Sequence, residues 1–387
     1  MSMLARRMAE IEAFHVMDIL ARVRALEAQG RDIVHMEIGE PDFPVASAIV
    51  DAGIAALRAG QTRYTPALGL PALREAIAAS YPAGNRPDSN RVVVTPGASG
   101  ALALVFGVLL NPGDEVLMSD PGYPCNRHFA RLFEGRARLV PVGESTAYQL
   151  TADLIRKYWS DRTRAVLISS PSNPTGTIVP EAEMARIAAT VRERSGVLIV
   201  DEIYHGLTYG VDAESALRHG PDIFVVNSFS KYYGMTGWRV GWLVAPAEYV
   251  EAIDRLAQNV FLAASTIGQH AALAAFHPQV IAELEHRRDE FRARRDFLVP
   301  ALRVLGFDLP VLPQGAFYVY AGCGRLTNDS ERFARELLEK AGVAIAPGRD
   351  FGVNAPERHV RFSYAATRER LEEGVRRMAA FLGRPRP

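Results

Sequence analysis

Residues 91–110 read RVVVTPGASGALALVFGVLL. Positions 91–94 predict a short apolar strand, TPGASG at 95–100 predicts a tight turn, and 101–110 predict an apolar helix. A strand that passes through a tight turn into a helix is the repeating unit of a parallel sheet. This stretch therefore sets the interpretation of the chain on either side of it.

The same alternation continues as far as residue 244. The strands are continuous apolar runs, as a sheet buried on both faces requires. Predicted helices lie at 126–133, from about 152, and at 181–194. Predicted strands lie at 115–118, 137–142, 165–169, 197–200, 223–227 and 240–244. The pattern indicates an α/β fold with a mainly parallel sheet that is covered by helices on both faces.

The pattern changes after residue 278. Residues 281–305 predict one long, charged helix, and a smaller α+β unit follows it. Its predicted strands and helices are 316–320, 330–340, 343–346, 359–362 and a helix from 368. An N-terminal helix at 8–29 and a strand at 33–36 are expected to join this unit, because chain ends often lie close together. We therefore predict a large domain, 46–280, and a small α+β domain built from both chain ends, 1–45 and 281–387.

The composition argues against several function classes. The chain has 387 residues, of which 48% are hydrophobic, and its formal net charge is zero. Neither nucleic acid nor a membrane is expected as a partner, because no broad charged surface or long apolar run is present. The pattern of a signal peptide is also missing, which favours a cytoplasmic protein. Cys125 and Cys323 show no disulfide framework or metal-ligand spacing, so no metal is expected.

Lysine is scarce in this sequence, and one lysine has an unusual context. The three lysines are Lys157, Lys231 and Lys340, and the other residues of the lysine-plus-arginine total are arginines. Lys231 lies in NSFSKYYGMTGWRVG at 227–241, directly after a predicted strand. Schiff-base chemistry needs lysine and cannot use arginine, whose guanidinium stays protonated. Genome composition explains the arginine bias as a whole, but not the position of Lys231.

A pyridoxal phosphate cofactor bound to Lys231 would need a carboxylate beside its ring nitrogen. Asp201 is the candidate, because it closes a strand, and ligands of open α/β sheets gather at the carboxyl ends of strands. A carboxylate at this point is otherwise a helix N-cap. Tyr204, in DEIY, is placed to donate a hydrogen bond to the ring hydroxyl.

The cofactor phosphate would need backbone N–H groups at a helix start and a basic side chain. TPGASG supplies the N–H groups and lacks the spacing of a dinucleotide site or a P-loop. Ser228, Ser230 and Arg239 complete the candidate shell. The backbone candidates are Gly97, Ala98 and Ser99.

Three further residues each have a functional and a structural interpretation. Asn173, in PSNPTG, is either part of a turn or an amide at the same sheet edge as Asp201. Tyr123, in DPGYP, either stacks on a pyridine ring or is an ordinary buried tyrosine. Arg361, between two apolar residues on a predicted strand, either binds a substrate carboxylate or forms a structural ion pair.

Taken together, these motifs resemble the pyridoxal-phosphate-dependent aminotransferases of fold type I, class I/II. The resemblance covers nearly the whole chain. The ordered set that carries it is Gly39, Tyr64, TPGAS, PGYP, NPTG, DEIY, SxSK, GWR and Arg361. It implies transfer of an amino group between an L-amino acid and a 2-keto acid with ping-pong kinetics, and a homodimer with shared active sites.

The resemblance also implies roles for the matching residues. Lys231 would carry the cofactor and move the proton at the substrate Cα, and Asp201 would hold the ring nitrogen. Asn173 and Tyr204 would bind the ring hydroxyl, and Tyr123 would stack on the ring. The phosphate would be bound by Ala98, Ser99, Ser228, Ser230 and Arg239, with Tyr64 of the second subunit. Arg361 and the backbone of Gly39 would bind the substrate carboxylate. A cis Asn173–Pro174 bond is expected.

The substrate side chain is poorly specified. Around residues 14–17 and 103–110 the only basic candidate for a distal carboxylate is His15. This favours alanine, aromatic or other apolar substrates over strict aspartate specificity. Further candidates elsewhere are Arg22, Arg63, Arg127 and His128. Two alternative functions stay open: a carbon–sulfur lyase of the β-elimination type on the same fold, and a regulatory protein that binds the ligand without turnover.

Overall fold

The structure is a computed structural model that describes residues 4–13 and 15–385. A seven-stranded sheet forms its centre, with strand order β2-β8-β7-β6-β5-β3-β4. The neighbours from β7 to β4 run parallel, and β8 is antiparallel to both β2 and β7. The sheet consists of β2 Val92–Thr95, β3 Glu115–Asp120, β4 Arg136–Pro141, β5 Thr163–Ser169, β6 Val197–Asp201, β7 Phe224–Ser228 and β8 Gly241–Val244. The predicted α/β fold with a mainly parallel sheet is confirmed.

Helices cover both faces of this sheet, and two separate hydrophobic clusters lie beneath them. Strands β2, β6, β7 and β8 are buried along their whole length, which is why they read as unbroken apolar runs. The helices up to residue 274 are α1 His15–Glu27, α2 Ser47–Arg58, α3 Pro71–Ser80, α4 Gly97–Leu109, α5 Pro124–Leu132, α6 Ala152–Tyr158, α7 Glu181–Glu193, α8 Val250–Val260 and α9 Thr266–Ala274.

A long helix, α10 Pro278–Val304, follows as predicted. The rest of the chain forms two small sheets around a third hydrophobic cluster. In one, β1 Val34–His35 pairs in parallel with β10 Val343–Ala344. In the other, the order is β11-β12-β9 and the strands are antiparallel. The remaining elements are β9 Tyr318–Gly322, α11 Ser330–Glu336, β11 Ala346–Pro347, β12 His359–Ser363 and α12 Arg368–Leu382.

Pairing of β1 with β10 brings an N-terminal strand to the C-terminal part of the chain. The division into domains 46–280 and 1–45 with 281–387 stays a prediction. None of the helices in residues 4–13 and 15–385 combines the length and the apolar character that a bilayer span needs.

Several predicted boundaries are wrong. The N-terminal helix begins at His15 instead of residue 8, and Phe14 lies outside the described residues. Before it, Glu10 and Glu12 lie outside the helix and pair with Arg131 and Arg127 of α5. Helices α8 and α9 were not predicted.

Two further corrections concern the C-terminal part. The strand predicted at 343–346 is split at Ile345, because β10 and β11 belong to different sheets. The helix predicted at 330–340 is α-helical only to Glu336 and ends in a wider turn at Leu337–Ala341. Strand β9 begins two residues later than the predicted 316.

Candidate active site

One cavity collects most of the residues that the sequence singled out. It has a volume of about 380 Å³ and lies at the carboxyl ends of the parallel strands. Its lining includes eleven of the candidates: Gly39, Ala98, Ser99, Tyr123, Asn173, Asp201, Tyr204, Ser230, Lys231, Arg239 and Arg361. Their positions follow from the topology, since β5, β6 and β7 end side by side.

Asp201 is the last residue of β6, and it is almost fully buried. Its Oδ1 accepts a hydrogen bond from the backbone N–H of Ile203 at 3.1 Å. Burial raises the pKa of this carboxyl to about 7, although the Ile203 N–H and the charge of Lys231 oppose the shift. A cation placed beside Asp201 would restore its ionised form, so the site is built for a positively charged partner.

Lys231 follows β7 by three residues. Its Nζ donates a hydrogen bond to the carbonyl of Gly39 at 2.5 Å. Burial lowers the pKa of the ammonium to about 8, and the charges of Arg361 and Arg239 add to this effect. A lysine with a lowered pKa yields the neutral amine more readily, which is the form that attacks a carbonyl.

Helix α4 begins at Gly97, four residues before the predicted start, so TPGASG contains the first turn of the helix. The free N–H groups of that turn make a binding site for an anion. Arg239 adds a guanidinium and adopts a left-handed backbone with φ of 54°, a conformation that non-glycine residues rarely hold. A Cβ at Gly97 would come within 2.5 Å of Arg239 Nη2, so glycine keeps this anion site open.

Arg361, on β12, is 2% exposed and has no carboxylate partner among its hydrogen bonds. It donates to Oδ1 of Asn173 at 3.0 Å and to the carbonyl of Glu37. The ring of Tyr318 lies 4.3 Å beneath the guanidinium carbon, and Arg361 Nε has no hydrogen-bond partner in the described chain. The structural ion pair considered above is therefore not formed, and the guanidinium keeps a donor for an incoming carboxylate.

Asn173 and Tyr204 are both buried at the cavity wall. The hydroxyl of Tyr204 lies 2.9 Å from that of Tyr318, and burial raises the pKa of Tyr204, so the phenol stays neutral. The Asn173–Pro174 peptide bond is cis, as predicted.

Three candidates lie outside the cavity lining. Ser228 donates from its Oγ to Ser230 at 2.9 Å and lies 3.1 Å from the carbonyl of Val240, so it supports Ser230. Gly97 stands next to the lining residue Ala98. Tyr64 is 84% exposed and lies apart from the cavity of its own chain.

Other lining residues escaped the sequence reasoning. The ring of Tyr318 packs against the guanidinium of Arg361. Its hydroxyl lies so close to Gly39 that a Cβ at position 39 would be 2.6 Å from it. Nothing in the strand around Tyr318 distinguishes it from a core tyrosine. At the cavity mouth, α1 contributes Val16, Met17 and Leu20, and Ile38 lies beside them. The sequence analysis considered residues 14–17 only for a distal carboxylate and did not single out these apolar side chains.

The basic residues considered for a distal carboxylate are absent from the lining of this cavity. His15 is paired with Asp18 at 3.8 Å, Arg22 with Glu339 at 2.6 Å and Arg127 with Glu12 at 3.4 Å. Arg63 and His128 also lie outside the lining. The cations of the cavity within the described chain are Lys231, Arg239 and Arg361.

The fold and the cavity define an α/β enzyme with a lysine at the carboxyl edge of its sheet. Comparison with known proteins specifies the class, since the family model described as "Aminotransferase class I and II" matches residues 31–378. The chain belongs to this family, and it is an aminotransferase that moves an amino group between amino acids and keto acids.

Individual relatives match over almost their whole length. A valine–pyruvate aminotransferase of Mycobacterium tuberculosis is 38% identical over 97% of this chain and 97% of its own. The crystal structure of an aminotransferase from the same organism covers 99% of this chain and 100% of its own, with 37% identity and a TM-score of 0.96. An aspartate aminotransferase from Thermus thermophilus, solved with maleate, is 34% identical, covers 98% of this chain and 100% of its own, and has a TM-score of 0.93.

Proposed function

We propose that the chain is a pyridoxal-phosphate-dependent aminotransferase that acts on amino acids with apolar side chains. The observation that carries the proposal is the shared lining of one cavity by Lys231, Asp201, Arg239 and Arg361. Each of these groups matches one part of a bound cofactor and substrate. When bound, pyridoxal phosphate supplies an electron sink for the charge left at the substrate Cα.

The residues present fit this cofactor. Asp201 is a buried acid that lacks a full counter-charge and would hold the protonated ring nitrogen. The first turn of α4, at Ala98 and Ser99, together with Ser230 and Arg239, would hold the phosphate. Asn173 and Tyr204 would bind the ring hydroxyl and Tyr123 would stack on the ring. Ser228 would act on the phosphate through Ser230.

The substrate carboxylate would be fixed by Arg361, with the backbone of Gly39 nearby. A fixed carboxylate orients the Cα–H bond of the substrate toward Lys231, whose amine would take that proton as a general base. Lys231 would then return the proton to the carbon that receives the amino group. Because donor and acceptor would use the same groups in turn, the kinetics are expected to be ping-pong.

The preference for apolar substrates rests on the cavity mouth. The apolar surface of the mouth comes from Val16, Met17, Leu20 and Ile38. The three cations of the cavity are already assigned to proton transfer, to the phosphate and to the substrate α-carboxylate, so none is left for a distal carboxylate. The relative named for valine and pyruvate agrees with this preference, whereas the one named for aspartate shows that the family also serves acidic substrates.

The test is a half-transamination screen over the common amino acids with the enzyme reconstituted with pyridoxal phosphate. Loss of the cofactor absorbance band should be fastest with valine, leucine, alanine or the aromatic amino acids, and slow with aspartate and glutamate. A colourless reconstituted protein would refute the cofactor. Pyruvate and ammonia from a β-substituted amino acid, without half-transamination, would favour the lyase instead.

We also propose a homodimer with shared active sites, in which Tyr64 binds the phosphate of the second subunit. The exposure of Tyr64, 84%, supports this role, since its side chain is accessible to a second subunit and lies outside the cavity of its own chain. Lys231→Ala and Tyr64→Ala each should be inactive or impaired. Mixed subunits should regain activity, because one site of each heterodimer combines the two intact residues. No recovery in mixtures that exchange subunits would contradict a shared site.

Neither nucleic acid nor a membrane is proposed as a partner, and the cytoplasm remains the proposed location. A fractionation of cells by centrifugation tests both the membrane and the location. Nuclease treatment before gel filtration should leave the elution volume unchanged.

A further inference from the structure

The segment 36–40, which follows β1, binds two of the three cationic groups of the cavity through its main chain. The carbonyl of Glu37 accepts a hydrogen bond from Arg361, and the carbonyl of Gly39 accepts one from Lys231 at 2.5 Å. The carbonyl of Met36 accepts from the backbone N–H of Ser363 at 2.7 Å, which ties the segment to β12. A displacement of this segment would therefore move the acceptors of two functional groups at once.

The side chain of Glu37 is an unusual feature of this segment. The residue is fully buried, and its Oε2 has no hydrogen-bond partner among the described residues. Its Oε1 lies 2.8 Å from Nδ1 of His35. A buried carboxylate is costly unless a cation compensates it, and His35 is the group placed to do so. The hydrogen bond to Glu37 raises the pKa of His35 to about 9, against the opposite effect of burial.

His35 also contacts α1, the helix that contributes to the cavity mouth. Its Nε2 lies 2.9 Å from Oε1 of Glu27, the last residue of α1. The same helix supplies the apolar wall at its other end, including Met17. A continuous chain of contacts thus runs from α1 through His35 and Glu37 to Arg361.

We propose that His35 and Glu37 are positioning residues for the α-carboxylate of the substrate. They hold the Glu37 carbonyl against Arg361, and the imidazolium cancels the charge of the buried carboxylate. Without His35, the buried Glu37 side chain would lose its hydrogen-bond partner, and the segment that presents the Glu37 carbonyl to Arg361 would shift. The inference rests on the proposed role of Arg361 and adds two residues that act through it.

The experiment compares His35→Gln, Glu37→Gln and the double variant, each as the reconstituted full-length enzyme. His35→Gln should raise KM for both the amino acid and the keto acid by about tenfold and change kcat by less than about twofold, because both substrates share the carboxylate. Glu37→Gln keeps a hydrogen-bonding side chain at this position and should raise KM less than His35→Gln does. The double variant should recover most of the affinity, since removal of the buried charge makes the imidazolium unnecessary.

Two measurements separate positioning from a merely structural effect. An alkylamine without a carboxylate should react with His35→Gln at the wild-type rate. His205→Gln is the matched control, because His205 Nδ1 lies 3.5 Å from the buried Glu202 while His205 stays outside the lining of the catalytic cavity. His205→Gln should lower the thermal midpoint without raising KM.

Unchanged KM in His35→Gln, no recovery in the double variant, or equal losses for the alkylamine would each overturn the inference. If His35→Gln does not fold, the wild type and Glu37→Gln are compared between about pH 8 and about pH 10. The charged groups that act on His35 are Glu37 and, from α1, Glu27. As the pH rises over this range, KM should increase more steeply in the wild type than in Glu37→Gln. Parallel curves of KM against pH would refute the positioning role of His35. Wild-type turnover in the same assay tests the proposed function separately.

Discussion

The two sides of the cavity differ in how they are built. The inner side consists of residues that end or follow buried strands of the large sheet, such as Asp201 and Lys231. The mouth is formed by α1, a helix whose Met17 is 55% exposed and whose Arg22 and Glu27 are tied to the rest of the chain by partly exposed ion pairs. Exposed ion pairs contribute little stability. We therefore expect the residues of the buried core to perform the chemistry and the residues of α1 to govern substrate choice.

Replacement of Lys231 tests the inner side with the largest expected effect. Lys231→Ala should lower kcat by at least about a thousandfold, because the general base at Cα is lost together with the attachment of the cofactor. Steady-state turnover and the cofactor absorbance band measure both losses. Lys157→Ala is the matched control, since Lys157 packs on the Tyr158 ring away from the cavity. Comparable losses in both variants would place the chemistry elsewhere.

The second effect concerns the buried arginine of β12. Arg361→Lys should lower kcat/KM for amino acids by about a hundredfold, because an ammonium cannot form the two parallel hydrogen bonds of a guanidinium. Arg294→Lys provides the control. Arg294 is also buried, but it pairs with Asp42 and Glu290 and should affect the thermal midpoint more than KM. A wild-type KM in Arg361→Lys would exclude it from carboxylate binding.

A charge placed at the mouth should change specificity without harming the chemistry. Met17→Arg should raise kcat/KM for aspartate relative to leucine by about tenfold, since it adds the distal cation that the cavity lacks. Leu132→Arg on α5 is the control, because Leu132 is likewise exposed and lies outside the cavity. If turnover falls while the ratio of kcat/KM for aspartate to kcat/KM for leucine stays constant, α1 contributes to the chemistry and not to substrate choice. That result would contradict the difference between the two sides of the cavity.

The smallest expected effect is a pH dependence of stability at the junction of the two sides. Folding raises the pKa of His35 from its ordinary value of 6.5 to about 9. A raised folded pKa means that the stabilising contribution is fully present below about pH 6.5 and is lost as the pH rises through about 9. The difference in thermal midpoint between the wild type and His35→Gln should therefore shrink from neutral pH to about pH 10. A gap that does not depend on pH would mean that His35 contributes by packing instead of charge.

Prediction from the sequence succeeded best where local pattern and buried environment agree. The strands of the large sheet are apolar throughout because both faces are covered, and the long helix α10 needed only its own periodicity. Prediction from the sequence failed where partners that are distant along the chain decide the local structure. Glu10 and Glu12 lie outside the helix and pair with Arg131 and Arg127, more than a hundred residues away. Ile345 separates two strands because each finds its neighbour in a different sheet.

The candidate site shows the same division. Motifs such as SxSK and DEIY indicated Lys231 and Asp201 because strand ends meet at one edge of a parallel sheet. Tyr318 and Glu37 carried no such signal, since an isolated tyrosine in a strand or a glutamate before a turn is common. Both residues contact Arg361, which follows Glu37 by more than three hundred residues.

The sequence by itself determined the α/β class, the lysine and acid of the cavity, and the family. These features depend on local periodicity and on short motifs that follow strands. Tertiary structure alone decided that Arg361 has no carboxylate partner, that apolar residues of α1 line the mouth, and that His35 and Glu37 connect the two. Such contacts join residues that are far apart along the chain, and only the folded chain brings their side chains within hydrogen-bonding distance.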